Sequence, residues 1–401
     1  MSILNETAPT GTHAAAADIQ PSWSRAVYRG MVAYLLSRVL VLLGVGVGIS
    51  AHAVRDRWEE KVPVEGFQAI VRALDSWDGH WYLDVTRMGY PRSIQPNVTY
   101  FVSDARAAFF PLFPRTVRYL DMLLPGGPVS AALLLNFVLG GVFIWLVGRI
   151  ARELHDDLTA ERAMIIAALF PGSFVLSWTY SEAIMLTLAA LVFLALARQR
   201  WVLAGVLAAF ATAARPNAVA LVAACGVASL VALRRDRDWR SLWAPVLSPI
   251  GFVAFMVFLR HHTNENWAWF RVQREAWREG TSFGGTAVTR TIDFFVNPVS
   301  SPTSMLTTAS VGALLLAVWC LRRHRLPAPH TTYSAVVIFL MLLPATVTAR
   351  PRFLYTAFPL LIPAARVLRD DKDVWWPLTV LVMGAGLVTV TGLYVVFGAI
   401  P

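Results

Sequence analysis

The chain has 401 residues, 56% of them hydrophobic and only 15% charged, with a mean hydropathy of +0.55. That balance excludes an ordinary soluble domain and predicts a polytopic membrane protein. A formal charge of +10 would suggest nucleic acid in a soluble chain. Here Lys and Arg largely flank apolar segments, so the basicity reads as orientation plus affinity for anionic lipid, and no nucleic-acid partner is expected.

Residues 1–22 are rich in Ala, Thr and Pro, with no basic residue ahead of an apolar core. They predict a disordered cytoplasmic tail rather than a secretory signal. Residues 23–401 read as one integral membrane domain. Apolar segments near the roughly 20 residues of a spanning helix fall at 30–51, 128–150, 162–180, 182–198, 201–214, 217–233, 242–260, 303–321, 332–349, 353–368 and 376–399. The fold class is therefore all-α, with about 11 transmembrane helices. Gly127-Pro128, Arg215-Pro216 and Arg350-Pro351 mark helix boundaries, since proline suits a first turn and breaks an interior. Gly44, Gly46 and Gly48 lie inside the first apolar segment and predict close helix packing; no Gly-x-x-x-x-Gly-Lys-Ser/Thr loop is present. Cys225 and Cys320 fall inside apolar runs, predicting neither a disulfide framework nor a Cys/His metal site.

With a cytoplasmic amino terminus, one set of short connections collects Arg149, Arg152, Arg162, Arg198, Arg200, Arg234, Arg235, Arg237, Arg240, Arg322, Arg323, Arg325, Arg366, Arg369 and Lys372. The other set has only Arg215, Arg350 and Arg352, as the positive-inside rule requires. Two long connections, 52–127 and 261–302, then lie outside. So do Asp75, Asp78, Tyr180-Ser181-Glu182, Arg215-Pro216-Asn217 and Arg350-Pro351-Arg352, which one external site would gather.

The stretch Asp75-Ser-Trp-Asp-Gly-His-Trp-Tyr82 sets two carboxylates among aromatic residues just after the first apolar segment. A carboxylate there suits a general base acting on a hydroxyl whose lipid tail lies in the bilayer. Arg215, Arg350, Arg352 and His80 supply cations for a phosphate, Arg through forked hydrogen bonds. Base and cations together predict group transfer from a lipid phosphate to an acceptor hydroxyl, with no cofactor called for and no metal ligand set. Each residue also has a plainer reading. Ser76 or Asp78 would cap a helix; Asp75 would cap or support its neighbour; Glu182 would sit at a helix start for its dipole. The arginines would anchor helix ends at headgroups, and Arg38, inside the first apolar segment, would snorkel or pair. Trp267, Trp269 and Trp277 would form an interfacial belt, with Gln273 and Arg271 near enough to meet substrate. His261-His262 lacks a third ligand at metal spacing.

Trp77-Asp-Gly-His-Trp-Tyr-Leu83, Met88-Gly-Tyr-Pro91 and Ala107-Ala-Phe-Phe-Pro-Leu-Phe-Pro114 resemble the first external loop of the PIG-V-like mannosyltransferases. Pro171-Gly-Ser-Phe-Val-Leu-Ser-Trp-Thr-Tyr-Ser-Glu182, Ala214-Arg-Pro-Asn217, Ala268-Trp-Phe-Arg-Val-Gln273 with Trp277, and Arg352-Phe with Phe358-Pro-Leu360 follow in that family's order. The resemblance covers nearly the whole chain from about residue 30. It implies a GT-C fold, a dolichyl or polyprenyl phosphate mannose donor, external-face chemistry with inversion, and Asp78 as the acceptor-activating base. It adds Tyr180, Glu182, Asn217 and Gln273 as substrate contacts. Asp75-Ser76 replaces the family's basic or hydrophobic residue ahead of the Trp-Asp pair, which leaves the division of roles between the two acids open. The Ala- and Arg-rich composition favours a bacterial cell-envelope glycolipid, polysaccharide or protein as acceptor. Arabinose from a polyprenyl phosphate is the close alternative, and a lipid transporter or flippase the rival class, although no internal repeat supports it.

Overall fold

The computed structural model describes residues 22–59, 66–299, 301–346, 348–371 and 374–396. The expected tail, Ser22 excepted, and Lys372 lie outside the described residues. Among the described residues the chain is helical, with one isolated antiparallel bridge between Thr281 and Pro344.

Helix α1 (Trp23–Trp58) overruns the predicted 30–51 segment at both ends. The connection that follows carries α2 (Phe67–Leu74), α3 (Asp78–Met88) and α4 (Leu112–Asp121). α4 buries Phe113 and Val117 while Tyr119 and the adjoining Met122 and Leu123 stay exposed, the pattern of a helix lying along a membrane surface. α5 (Gly127–Leu154) begins where Gly126 and Gly127 take φ of 105° and 78°, open to glycine, and Pro128 fits the first turn.

α6 (Asp157–Leu169) is capped by Asp156, which accepts from the Thr159 amide at 2.8 Å. It ends at Phe170, whose ψ of 133° follows from the proline behind it. The chain then turns by 73° into a 3-10 segment, Pro171–Ser177. Arg38 secures this break. Its Nη1 donates to the Ser173 carbonyl at 3.0 Å and to Ser177 Oγ at 2.9 Å, and its Nη2 to Ser173 Oγ at 3.1 Å. Arg38 is therefore paired rather than snorkelling, and it satisfies a broken helix within the protein.

There follow α7 (Glu182–Ala197), α8 (Trp201–Thr212), α9 (Ala220–Asp236), α10 (Trp243–Leu247) and α11 (Ile250–Thr263). α12 (Ala268–Ala276) and α13 (Gly285–Val296) structure the 261–302 connection. α14 (Pro302–Arg323), α15 (Ala328–Leu342), α16 (Pro351–Thr356), α17 (Leu361–Val367) and α18 (Trp375–Val395) complete the chain.

Among the described residues six helices are long and apolar enough to cross a membrane, or seven counting the bent pair at Pro171. Four more apolar helices, among them Glu182–Ala197 and Ala328–Leu342, have only 10–17 residues. The protein is a multi-pass membrane protein, but the expected count of about eleven exceeds what length and composition establish.

α1 packs against α6 and α18. A Cβ on Gly44 would stand 2.7 Å from Thr391 Cβ, and one on Gly48 2.5 Å from Val395 Cβ. These two glycines are the expected packing seam, whereas Gly46 faces open space. The seam draws the end of α18, with Tyr394, against Trp77 in the 75–77 turn. Cys225 and Cys320 are buried free thiols.

Candidate active site

Asp78 is the first residue of α3. Trp77 before it takes φ 59°, ψ −125°, a conformation costing on the order of 1–3 kcal/mol for a bulky residue. Tyr394 holds it there: Trp77 Nε1 donates to the Tyr394 carbonyl at 3.3 Å, and the rings stack at 5.9 Å. Gly79 lies against the Thr179 hydroxyl with no room for a Cβ. Neither Ser76 nor Asp78 caps the helix. Ser76 donates to the Ala73 carbonyl at 2.7 Å, and the Asp78 carboxylate turns toward α16.

There Arg352 joins two acids. Its Nη2 donates to Asp78 Oδ2 at 2.7 Å and its Nε to Glu182 Oε1 at 2.5 Å. The guanidinium also lies 4.4 Å over the Tyr180 ring. Arg215 Nη1 is 2.6 Å from Glu182 Oε2, an ionic contact outside hydrogen-bond angles, and donates to Ser181 Oγ at 3.3 Å. Ser181 Oγ is 2.6 Å from the Tyr82 hydroxyl, so this serine at the start of α7 binds neighbours instead of capping its helix. Two carboxylates face two guanidiniums, which is how buried ions are tolerated. Glu182 is wholly enclosed and Arg352 nearly so, whereas the Asp78 side chain keeps 26% exposure. Asp78 is thus the acid of this network that a substrate can reach.

It opens into a cavity of about 730 Å³, within the range of small-molecule sites. Asp78, Arg215, Asn217, Gln273 and Arg352 line it, with Trp77, Tyr100, Trp277 and Tyr394 as aromatic walls and Leu340, Met341 and Phe353 as an apolar one. Asn217 Oδ1 and Arg215 Nε are enclosed without protein partners. Tyr180 and Glu182 lie beneath this surface, supporting Arg352 and Arg215. The Tyr180 carbonyl accepts from buried Asn136 Nδ2 at 2.8 Å, and its hydroxyl bonds that of Tyr394.

Other expected members stand elsewhere. Asp75 does not line the cavity; its Oδ1 is enclosed without a partner. Burial pushes its carboxyl up to about 6, against the opposing pull of Arg87 and His80. The His80 side chain is 57% exposed and lies 3.5 Å from Asp84. Arg350 is buried against α14, with a 3.5 Å contact to the Thr303 carbonyl. The three tryptophans do not form one belt: Trp267 is exposed, Trp269 donates to the Ala108 carbonyl at 2.9 Å, and Trp277 meets Tyr100 edge-on at the cavity. Arg271 binds Glu265, Glu275 and the Ile94 carbonyl. His262 Nε2 lies 3.2 Å from the Tyr90 carbonyl.

Sequence reasoning missed Ser181 as a hub and Tyr100, Glu279 and Tyr394 as lining residues. Tyr394 alone left a signal, as a hydroxyl-bearing residue near the end of the last apolar segment. Among the described residues no three of His, Cys, Asp and Glu are placed to hold a metal ion.

No family model matches the chain, and no curated protein matches it. Among solved structures, ArnT from Cupriavidus metallidurans bound to undecaprenyl phosphate aligns over 78% of this chain, at 15% identity and a TM-score of 0.51. The fold is that of the GT-C glycosyltransferases. This chain covers 61% of that protein's length. Likeness to the apo form of the same ArnT (15% identity, 76% of this chain and 55% of that one, TM-score 0.47) adds no weight. Nor does likeness to the Archaeoglobus fulgidus oligosaccharyltransferase tethered with an acceptor peptide (11% identity, 95% of this chain and 56% of that one, TM-score 0.41).

Proposed function

We propose that this chain is an integral membrane glycosyltransferase that moves mannose from a polyprenyl phosphate mannose donor to an acceptor hydroxyl of a cell-envelope glycolipid, polysaccharide or protein. Asp78 carries the reading, as a substrate-accessible carboxylate held by Arg352 on an aromatic cavity within a GT-C fold. The ordered motifs shared with PIG-V-like enzymes favour mannose, and the undecaprenyl phosphate bound to ArnT favours a lipid-phosphate donor.

With Oδ2 held by Arg352, Asp78 Oδ1 takes the proton of the acceptor hydroxyl as its oxygen attacks the anomeric carbon. The bond from that carbon to the phosphate oxygen breaks, its electron pair leaves with the polyprenyl phosphate, and configuration inverts. Trp77, Tyr100 and Trp277 offer flat faces to the sugars, and Asn217 and Gln273 offer hydrogen bonds. The amino terminus is assigned to the cytoplasm and the cavity to the external face on the distribution of arginines.

The test presents purified protein with radiolabelled polyprenyl phosphate mannose, with the arabinosyl donor, and with labelled lipid in one leaflet of a vesicle. Mannose transfer with inversion is expected. Arabinose transfer alone would replace the donor, and lipid movement without transfer would make the protein a transporter.

A further inference from the structure

The cavity's cations are already neutralised: Arg215 and Arg352 face Glu182 and Asp78. Among the described residues two other guanidiniums make no such ion pair. Arg350, immediately before α16, is 3% exposed, yet its Nε is enclosed without a partner and its Nη1 makes only the 3.5 Å contact with Thr303. Arg290 of α13 donates Nη2 to the Thr346 carbonyl at 3.0 Å, while its Nη1 is enclosed and unpartnered. Burial, and after it the Arg290 charge, push Arg350 down to about 10.

Two enclosed hydroxyls share this want of a partner: Thr307, one turn along α14 from Thr303, and Thr348, two residues before Arg350. Glu279 is within electrostatic range of Arg290. Its oxygens are occupied by the Thr346 amide at 3.0 Å and hydroxyl at 2.5 Å. Like charges gathered with unmade hydrogen bonds are unfavourable unless an anion joins them, and forked Arg donors match phosphate oxygens.

We propose that Arg290 and Arg350 form a phosphate site, with Thr307 and Thr348 as further donors, for the phosphate of an isoprenoid lipid. The inference rests on the glycosyltransferase reading and places the donor's phosphate at the cavity rim, away from Arg215 and Arg352. Thr346 ties the two places together, since it bonds both Arg290 and the cavity-lining Glu279.

Binding, read apart from transfer, provides the test. Full-length protein in neutral phosphatidylcholine nanodiscs is titrated with farnesyl phosphate and followed by phosphorus NMR. Saturable binding is expected, at least tenfold weaker in Arg290→Gln and less than twofold changed in Arg118→Gln, a change at an exposed arginine of α4. Arg350→Lys, which keeps the charge and loses the fork, should weaken binding as well and checks the buried member without discharging it. Farnesyl phosphate binding that Arg290→Gln leaves intact, or that Arg118→Gln weakens equally, overturns the proposal. Competition by inorganic phosphate at equal concentration would assign the site to free phosphate, and equal competition by phosphatidylglycerol to a general headgroup; either overturns the isoprenoid assignment. Protein that binds farnesyl phosphate as expected but transfers no sugar would overturn the transferase reading alone.

Discussion

Arg352 donates to Asp78 at 2.7 Å across 274 residues of sequence, and the same guanidinium holds the enclosed Glu182. Asp78 and the buried Glu182 thus share one cation. Arg352→Gln leaves Glu182 with Arg215 alone and frees Asp78, and breaking a buried pair costs about 3–5 kcal/mol. A marked fall in thermal midpoint is expected, together with loss of transfer. Arg352→Lys keeps the charge without the fork, so it should retain most of the stability while transfer falls about tenfold or more, since about 1.4 kcal/mol is tenfold.

Glu182→Gln makes the reverse error, leaving Arg215 and Arg352 facing one carboxylate. Destabilisation of about 3–5 kcal/mol is expected, measured by denaturant unfolding in detergent. In a double-mutant cycle, Glu182→Gln with Arg352→Gln should lose less than the sum of the singles, because each single change strands a charge that the other removes. Simple additivity would mean the two residues are not coupled.

Gly79→Ala places a methyl group against Thr179 Oγ1, just behind Asp78. Either α3 or the 178–181 turn must shift, and an overpacked contact costs about 1–3 kcal/mol. Transfer should fall far more than binding of the lipid donor, as measured by separate kcat and KM. Equal effects on both would place the shift outside the catalytic geometry.

Asp75 sets a pH dependence. Its folded carboxyl, near 6 against an ordinary 3.8, binds its proton more tightly than the unfolded chain does. The associated stability is therefore complete below about 3.8 and lost as pH rises through about 6. Asp75→Asn keeps a neutral group there and should raise the thermal midpoint relative to wild type at pH 7.5 but not at pH 4. An equal difference at both pH values would contradict the burial argument.

The candidate site was legible where its charged residues stand in short motifs at the ends of apolar segments. Asp78, Glu182, Arg215 and Arg352 sit in short motifs at predicted segment ends, and they meet in the structure. What separates Arg350 from Arg352 is the start of α16 at Pro351: one residue precedes the helix and the other lies in its first turn, so their side chains diverge. Asp75 and Asp78 look equivalent in sequence until Trp77 takes its positive φ and turns the chain between them. Tyr394 reaches the site through the Gly44 and Gly48 seam, a long-range packing fact that no local motif carries. α7 is apolar because other helices cover it, whereas α8 and α15 keep exposed apolar residues such as Val202, Phe210 and Phe339 on helices shorter than a full crossing, and composition does not distinguish these cases from one another.

The most direct test of Asp78 as base is single-turnover transfer from radiolabelled polyprenyl phosphate mannose by wild type and Asp78→Asn at matched folding. A fall of about 10²–10⁴-fold, the usual scale of general-base catalysis, with donor binding retained, is the predicted result. Undiminished transfer by the Asn variant would contradict it and leave Asp78 as a structural partner of Arg352.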